Sequence, residues 1–348
     1  MGVPRIQAIG TAVPTYVLKQ GEIKKFVATL FHSHMDHLER LLPIFENSLI
    51  HTRHLSKPLE WYSKAHSFAE ANTIFEQVAL ELSEKAAVEA MKKANVQPEE
   101  IEMIIFVSST GITTPTLDAK LIDRLGLSPH TRRLPIWGLG CAGGVAGMAR
   151  AAELAHSLRG KSVLLVTVEL CSLTFQQHDY SKSNLVGTSL FADGAAAALI
   201  KIDGEGPSIL GNYSTLFPGS AHIMGWDLVD TGFKVRFSRD IPSLVKNNLP
   251  GVLQSACDQW GIHQTEICHY IVHPGGAKVV SAYQQSLGLA DDTFTYAYEI
   301  LAGYGNMSSA TVLFVLEKFI KETPPTGAYG IMLALGPGFS AEQVLFQW

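Results

Sequence analysis

Charge is scarce in this chain. Of its 348 residues 17% are charged and 47% hydrophobic, and 27 basic residues face 32 acidic ones, for a net charge of -5. That balance excludes a basic nucleic-acid footprint and a polybasic membrane anchor. Cysteine is scarcer still: Cys141, Cys171, Cys257 and Cys268 are four in all, too few at this length for a disulfide scaffold. No apolar run approaches the roughly 18 residues of a spanning helix. The opening Met1-Gly-Val-Pro-Arg-Ile6 lacks the basic flank and apolar stretch of a signal peptide, and Ile6 stands where a myristoylation signal needs Ser or Thr. Linker-like and low-complexity stretches are few. These absences describe a soluble, reduced, cytoplasmic protein with a large buried core, built as two domains or one fused pair.

What is present is an internal repeat. In the first half a helix from Phe75 to Ala94 runs into the apolar segment Pro98–Val107, a turn over Ser108–Thr114, a helix ending Leu125-Gly-Leu127, and Cys141. In the second, a helix from Ile241 to Trp260 runs into Gln264–Val272, then His273-Pro-Gly-Gly276, a helix ending Leu287-Gly-Leu289, and Asn306. Cys141 falls 14 residues after Leu127 and Asn306 falls 17 after Leu289; each precedes a helical stretch and an apolar strand, Ser162–Val168 and Tyr329–Leu335. Helix–strand alternation with Val/Ile/Leu-rich strands predicts mixed α/β layers around buried sheets. Asp203-Gly-Glu-Gly-Pro207 marks the seam, giving halves 1–205 and 206–348.

Three Gly-rich turns carry candidate chemistry: Cys141 in Trp137-Gly-Leu-Gly-Cys-Ala-Gly-Gly144, His273 in Ile271-Val-His-Pro-Gly-Gly276, and Asn306 in Gly303-Tyr-Gly-Asn-Met-Ser-Ser309. The Ala-rich run Ala142–Leu158, closing at Gly160, predicts a helix with Cys141 at its N-terminus. Such a position, near an imidazole, is expected to lower a thiol pKa from about 8.5 toward roughly 3.5–7.5. A thiol, an imidazole and an amide brought together can attack a thioester and hold an enolate oxygen. Singly, each has a bland reading: a buried Cys in a turn, a satisfied His, and an Asn capping a turn or helix.

Competing motifs exist. His32, His34 and His37 in Phe31-His-Ser-His-Met-Asp-His37 match the H-x-H-x-D-H spacing of a metallo-β-lactamase-type zinc hydrolase. That fold needs the motif after a strand, whereas here it follows the helical pattern Gly21–Leu30, and no later Gly-His-Thr-like element follows. Gly138-x-Gly-x-x-Gly143 mimics a dinucleotide fingerprint, with Glu169 in the place of a ribose-binding acid, but the gap is 26 residues, against about 20 in that fingerprint. Cys257, His263, Cys268, His269 and His273 lack a C-x-x-C knuckle. Trp61, Trp137 and Trp226 are expected in the core.

The three motifs, together with Leu185-Val-Gly-Thr-Ser-Leu-Phe-Ala-Asp-Gly194 and Leu335-Gly-Pro-Gly-Phe339, resemble the type III polyketide synthases, the chalcone synthase-like group of the thiolase superfamily, over most of the chain. Ketoacyl synthase III enzymes, a second reading that would make the chain an initiator dependent on acyl carrier protein, share Cys, His and Asn. They carry Pro-His-Gln-Ala-Asn where this chain has Val272-His-Pro-Gly-Gly276. The resemblance implies a thiolase-like fold of two αβαβα halves in five layers, and a homodimer that uses acyl-CoA and malonyl-CoA without cofactor, metal or carrier protein. It implies that Cys141 takes the starter acyl group while His273 and Asn306 stabilise the enolate left when malonyl-CoA loses carbon dioxide. Phe191 matches a gatekeeper whose partner aligns with Val235. Ser109, Thr114, Cys171, Thr174 and Trp226 align with cavity positions, Thr114 where the family has a Met reaching across the dimer. Of the basic residues that hold CoA phosphates only Arg40 aligns, with Pro43 and Asn47 at the others; Ser308 is a further CoA-binding candidate. Trp226 at a family Gly position is expected to crowd elongation and favour tri- or tetraketide alkylpyrones from medium- or long-chain acyl-CoA.

Overall fold

The computed structural model describes residues 2–158 and 160–348. The first half runs β1 (Pro4–Ala12), β2 (Tyr16–Lys19), α1 (Gln20–Phe31), α2 (Leu38–Leu41), α3 (Ile44–Asn47), β3 (Thr52–Leu55), α4 (Leu59–Tyr62), α5 (Phe68–Ala94), β4 (Ile101–Val107), α6 (Leu117–Leu125), β5 (Arg132–Ile136), α7 (Gly143–Ala155), β6 (Ser162–Leu170), α8 (Lys182–Leu190) and β7 (Asp193–Ile202). The second runs β8 (Ser208–Leu216), β9 (Met224–Val229), β10 (Gly232–Phe237), α9 (Ile241–Trp260), β11 (Ile267–Val272), α10 (Ala277–Leu287), α11 (Thr295–Tyr304), α12 (Thr311–Glu322), β12 (Tyr329–Gly336) and β13 (Ser340–Gln347).

All nine residues of β6 and almost all of β12 are buried, so both need helices on two faces. The sheet order β11-β12-β13-β8-β1-β7-β6-β4-β5 meets that need twice over. Around the β8–β1 junction, a single pair between Arg5 and Ser208, the halves mirror one another. Strands β4 and β6 are parallel, as are β11 and β12, while β6–β7 and β12–β13 are antiparallel. One core cluster joins α5 and α6 to the outer face of the first sheet, and another joins α9 and α10 to the second. A third, around α7 and α12, lies between them. The result is the five-layered thiolase-like α/β fold, with α7 and α12 as its middle layer.

Two helix limits differ from expectation. Helix α5 starts at Phe68, ahead of Phe75, because Ser67 and Glu70 form a capping box: Ser67 Oγ accepts from Glu70 N, and Glu70 Oε2 accepts from Ser67 N. Helix α7 ends at Ala155 rather than Leu158, and the chain unwinds through tighter turns closed by Ser157 N and Leu158 N. In the second half α11 stands where the first half has β5, which accounts for the longer spacing before Asn306. No helix among the described residues is long and apolar enough to cross a membrane.

Candidate active site

The two middle helices meet head to head, and the small residues of the sequence allow it. A Cβ on Gly144, in the first turn of α7, would stand 2.2 Å from Ser309 O. Only a glycine lets the turn bearing Cys141 touch the turn ahead of α12. Cys141 sits in the 3-10 turn Gly140–Ala142, just before α7, and is 9% exposed. The hydroxyl of Ser308 donates to Cys141 Sγ at 3.5 Å. Ser308 N donates to Asn306 Oδ1 at 2.8 Å, which fixes the carboxamide's orientation. Asn306 Nδ2 gives one proton to Gly275 O at 3.0 Å, and the amide also acts on the Cys141 thiol as a hydrogen-bond donor. Gly275 lies against the ring of His273, which stands just past the end of β11 with its backbone N–H on Leu333 O at 2.9 Å. Neither His273 ring nitrogen has a partner among the described residues. His273 and Asn306 are each 2% exposed. One sulfur, one amide and one ring, all buried, are thus linked by contacts through Ser308 and Gly275.

Electrostatics corrects one expectation. The Cys141 thiol is pushed up to about 11, not down. Burial is the largest cause, and the Glu169 carboxylate adds to it; hydrogen bonds from Ser308 and Asn306 oppose it. Removal from water outweighs the helix N-terminus. Burial likewise brings His273 down to about 3. Both groups therefore rest neutral at pH 7. A neutral imidazole can receive the thiol proton during acyl transfer or donate from its N–H.

The candidate chamber residues fall into separate sets. Cys171, Phe191 and Val235 form one buried cluster with Trp226 and Phe237 against it. The Phe191 ring lies 5.8 Å from Trp226 and 5.6 Å from Phe237, centroid to centroid. Thr174 shares the turn Cys171–Thr174, its hydroxyl donating to Cys171 O. Ser109 lies behind the nucleophile, its Oγ accepting from Gly140 N at 3.0 Å. Thr114 is exposed on the loop between β4 and α6, outside that cluster. Arg40 is exposed at the end of α2, far in character from Ser308, whose hydroxyl faces the thiol.

The competing motifs do not assemble. No three His, Cys, Asp or Glu side chains converge on a metal position among the described residues. His32, His34 and His37 are exposed on turns after α1, and His34 stacks on Tyr180. Cys257 and His273 are buried while Cys268 is exposed, so the His/Cys set is dispersed. Trp137, expected in the core, is 54% exposed and donates to Gly111 O.

Glu169 is no ribose ligand: it is wholly buried, accepting from Ser109 N, the Thr110 hydroxyl and the Ser309 hydroxyl. Burial raises its carboxyl to about 7, against those hydrogen bonds. It thereby ties the turn after β4 to the turn ahead of α12, behind Cys141. The sequence reading missed this role. The available signal was an acid closing the otherwise apolar run Ser162–Leu170.

Comparison with known proteins converges on one group. The family model "Chalcone and stilbene synthases, N-terminal domain" matches residues 1–204, and its C-terminal counterpart matches 209–347. A Bacillus subtilis (strain 168) protein named "Putative chalcone synthase" is 44% identical, over 99% of this chain and 98% of its own. The 1,3,6,8-tetrahydroxynaphthalene synthase of Streptomyces peucetius subsp. caesius is 35% identical, over 99% of this chain and 93% of its own. The crystal structure of the Streptomyces coelicolor A3(2) enzyme of that name, described as a bacterial type III polyketide synthase, matches with a TM-score of 0.94 at 30% identity, covering 99% of both chains.

Proposed function

Because this chain belongs to the type III polyketide synthases, the chalcone and stilbene synthase family, we propose that it extends a medium- or long-chain fatty acyl-CoA with malonyl units to tri- and tetraketide alkylpyrones. It is a condensing acyltransferase that works on CoA thioesters. In the proposed cycle Cys141 sulfur attacks the starter thioester, its proton passing to His273, and CoA leaves with a proton. Malonyl-CoA then loses carbon dioxide, and the electron pair of the broken bond moves onto the thioester oxygen as an enolate. The His273 N–H and the Asn306 amide N–H receive that charge where it develops, in a site that water does not screen. The enolate carbon attacks the acyl carbonyl on Cys141, the carbon–sulfur bond breaks to release the Cys141 thiolate and a β-ketoacyl-CoA, and the thiolate then takes back the lengthened chain as CoA leaves. Acting as a cytoplasmic homodimer without carrier protein completes the reading.

The observation that supports it is the buried chain of contacts from Cys141 through Ser308, Asn306 and Gly275 to His273, joined at Asn306 to the segment of Phe191. The fatty starter rests on a narrow, mainly apolar cavity lined by Ile23, Phe26, Leu55, Leu59, Phe175, Phe191 and Val235, with Arg53, Tyr62 and Asn184 also at its wall. Trp226 beside Phe191 limits the space for extension. A second reading, malonyl-CoA as starter and extender, is favoured by relatives named tetrahydroxynaphthalene and phloroglucinol synthases. Incubation with labelled malonyl-CoA and acetyl-, hexanoyl-, dodecanoyl- and coumaroyl-CoA, read by mass spectrometry, decides the matter. Alkylpyrones from the aliphatic starters are expected. An aromatic product from malonyl-CoA alone, or a chalcone, would overturn the alkylpyrone assignment.

A further inference from the structure

The turn that carries Asn306 is held by four consecutive residues from the other half of the chain. His51 N donates to Ala302 O at 2.8 Å, and Thr52 Oγ1 donates to Gly303 O at 2.7 Å. The His54 ring stacks on Tyr304 with centroids 5.7 Å apart. Gly305, at φ 74°, leaves no space for a side chain, since a Cβ there would lie 2.9 Å from Arg53 Cγ and Cδ. Arg53 itself is 2% exposed, and its Nη1 donates to both Thr188 O and Phe191 O at 2.7 Å. The Phe191 and Asn306 segments are also joined directly: Asn306 N donates to Leu190 O, and Ala192 N to Asn306 O, both at 2.9 Å.

Burying a guanidinium costs more than burying an apolar side chain of similar volume. Asp193, close enough for its charge to be felt, offsets part of that cost. What an apolar side chain cannot supply is a rigid donor held on two carbonyls at once. Those carbonyls belong to the end of α8 and to Phe191, while the stem of the same side chain fills the gap above Gly305.

We infer that Arg53 is a positioning residue, locking the Asn306 turn to the Phe191 turn so that the carboxamide and the ring beside the chamber are set as one unit. The inference rests on the proposed role of Asn306 in decarboxylation. The turn bearing Cys141 has a support of its own in the first half, Ser109 Oγ, which accepts from Gly140 N, while Ser308 Oγ reaches the thiol from the Asn306 turn. Loosening Arg53 therefore separates decarboxylation from acyl loading, which a general loss of folding does not do.

The test uses the full chain as wild type, Arg53→Lys, Asn306→Ala and the double variant. Release of carbon dioxide from malonyl-CoA without starter reads the amide, and the mass of the acylated protein reads Cys141. Lys keeps the charge but ends one bond short of the position of Nη1, which makes both carbonyl bonds, so decarboxylation is expected to fall about tenfold or more. Acyl loading is expected to fall less, by about twofold, since the turn bearing Cys141 keeps its own bond from Gly140 N to Ser109 Oγ. In the Asn306→Ala background Arg53→Lys is expected to add no further loss, because it acts through the missing amide. Equal loss of both activities, or losses that multiply in the double variant, overturns the role. So does normal decarboxylation by Arg53→Lys beside an inactive Asn306→Ala. Decarboxylation surviving in Asn306→Ala instead removes the underlying reading of Asn306 and the Arg53 role with it. Should Arg53→Lys fail to fold, Thr52→Val, which loses one strap bond, decides in its place. A selective fall in decarboxylation supports the strap; an unchanged ratio of the two activities overturns it.

Discussion

At the ends of two equivalent strands, β4 and β11, the chain places Ser109 and His273, and it uses them in opposite ways. Ser109 is fully committed: its N–H goes to Glu169 Oε2 and its hydroxyl accepts from Gly140 N, both at 3.0 Å. His273 has its backbone tied to Leu333 O, yet both ring nitrogens are without partner among the described residues. The heads of the middle helices differ in the same sense. Cys141 receives hydrogen bonds from its neighbours, whereas the Asn306 amide gives them, to Gly275 O and toward the thiol. A repeated scaffold thus supplies one half that grips a nucleophile and another that offers donors. The unpaired His273 ring beside the engaged Ser109 marks this end of the second half as the place where a substrate would find its hydrogen-bond partner.

The most severe way to break this comparison is Cys141→Ala. Acyl loading is expected to vanish, with no starter mass on the protein, while carbon dioxide release from malonyl-CoA persists because the donor half is intact. Condensed product from that variant would remove the nucleophile assignment. Next in size, His273→Gln should cost decarboxylation about a hundredfold or more, as for loss of an oxyanion donor, and loading less. The same variant sharpens the comparison through stability. The folded His273 stays neutral down to about 3, while an unfolded His takes a proton near 6.5. Its contribution is present above pH 6.5 and is lost as pH falls toward 3. Urea unfolding across that range should therefore show wild type losing stability with acid faster than His273→Gln. Equal slopes would mean the ring is not buried neutral.

Much of this was legible beforehand. The repeated Leu-Gly-Leu helix ends, both apolar strand runs and all three Gly-rich turns are local signals, and they folded as read, because short-range periodicity and turn chemistry fix such elements. Motif identity predicts that Cys141, His273 and Asn306 work together; the structure links them through Ser308 and Gly275, as Cys141–Ser308–Asn306 and Asn306–Gly275–His273 contacts. What was not legible depends on burial summed over distant segments. The thiol's rise to about 11 reflects how little water reaches it, which a helix N-terminus in the sequence does not reveal. Arg53 sits in the short strand β3 of alternating burial, where nothing marks it as the inward cation. Glu169 resembles a cofactor ligand in the sequence because its four hydrogen-bonding neighbours, Ser108, Ser109, Thr110 and Ser309, come from two other stretches of chain.

Glu169→Gln probes the gripping half with a milder effect. Its charge is among the causes holding the thiol up, so the amide should move Cys141 titration toward acid. Alkylation by iodoacetamide across a pH series is expected to show the earlier onset. With the carboxyl at about 7, the wild-type profile should also bend near neutrality where that proton leaves, and the Gln variant should not. Identical profiles would mean that the carboxylate and the sulfur do not sense one another.

The smallest expected effect belongs to Ser109→Ala. It strands Gly140 N, a buried donor, at a cost of about 1–3 kcal/mol in unfolding free energy. The lost bond sits beside the nucleophile's turn and away from Gly275, His273 and Asn306. Loading should therefore slow by less than about tenfold, the scale of a small misplacement, with decarboxylation unchanged. That pattern is the mirror image of the one expected from Arg53→Lys, and measuring the two variants side by side tests whether the halves really are supported independently. If Ser109→Ala slows decarboxylation as much as loading, grip and donation share one support, and the division of labour between β4 and β11 is lost.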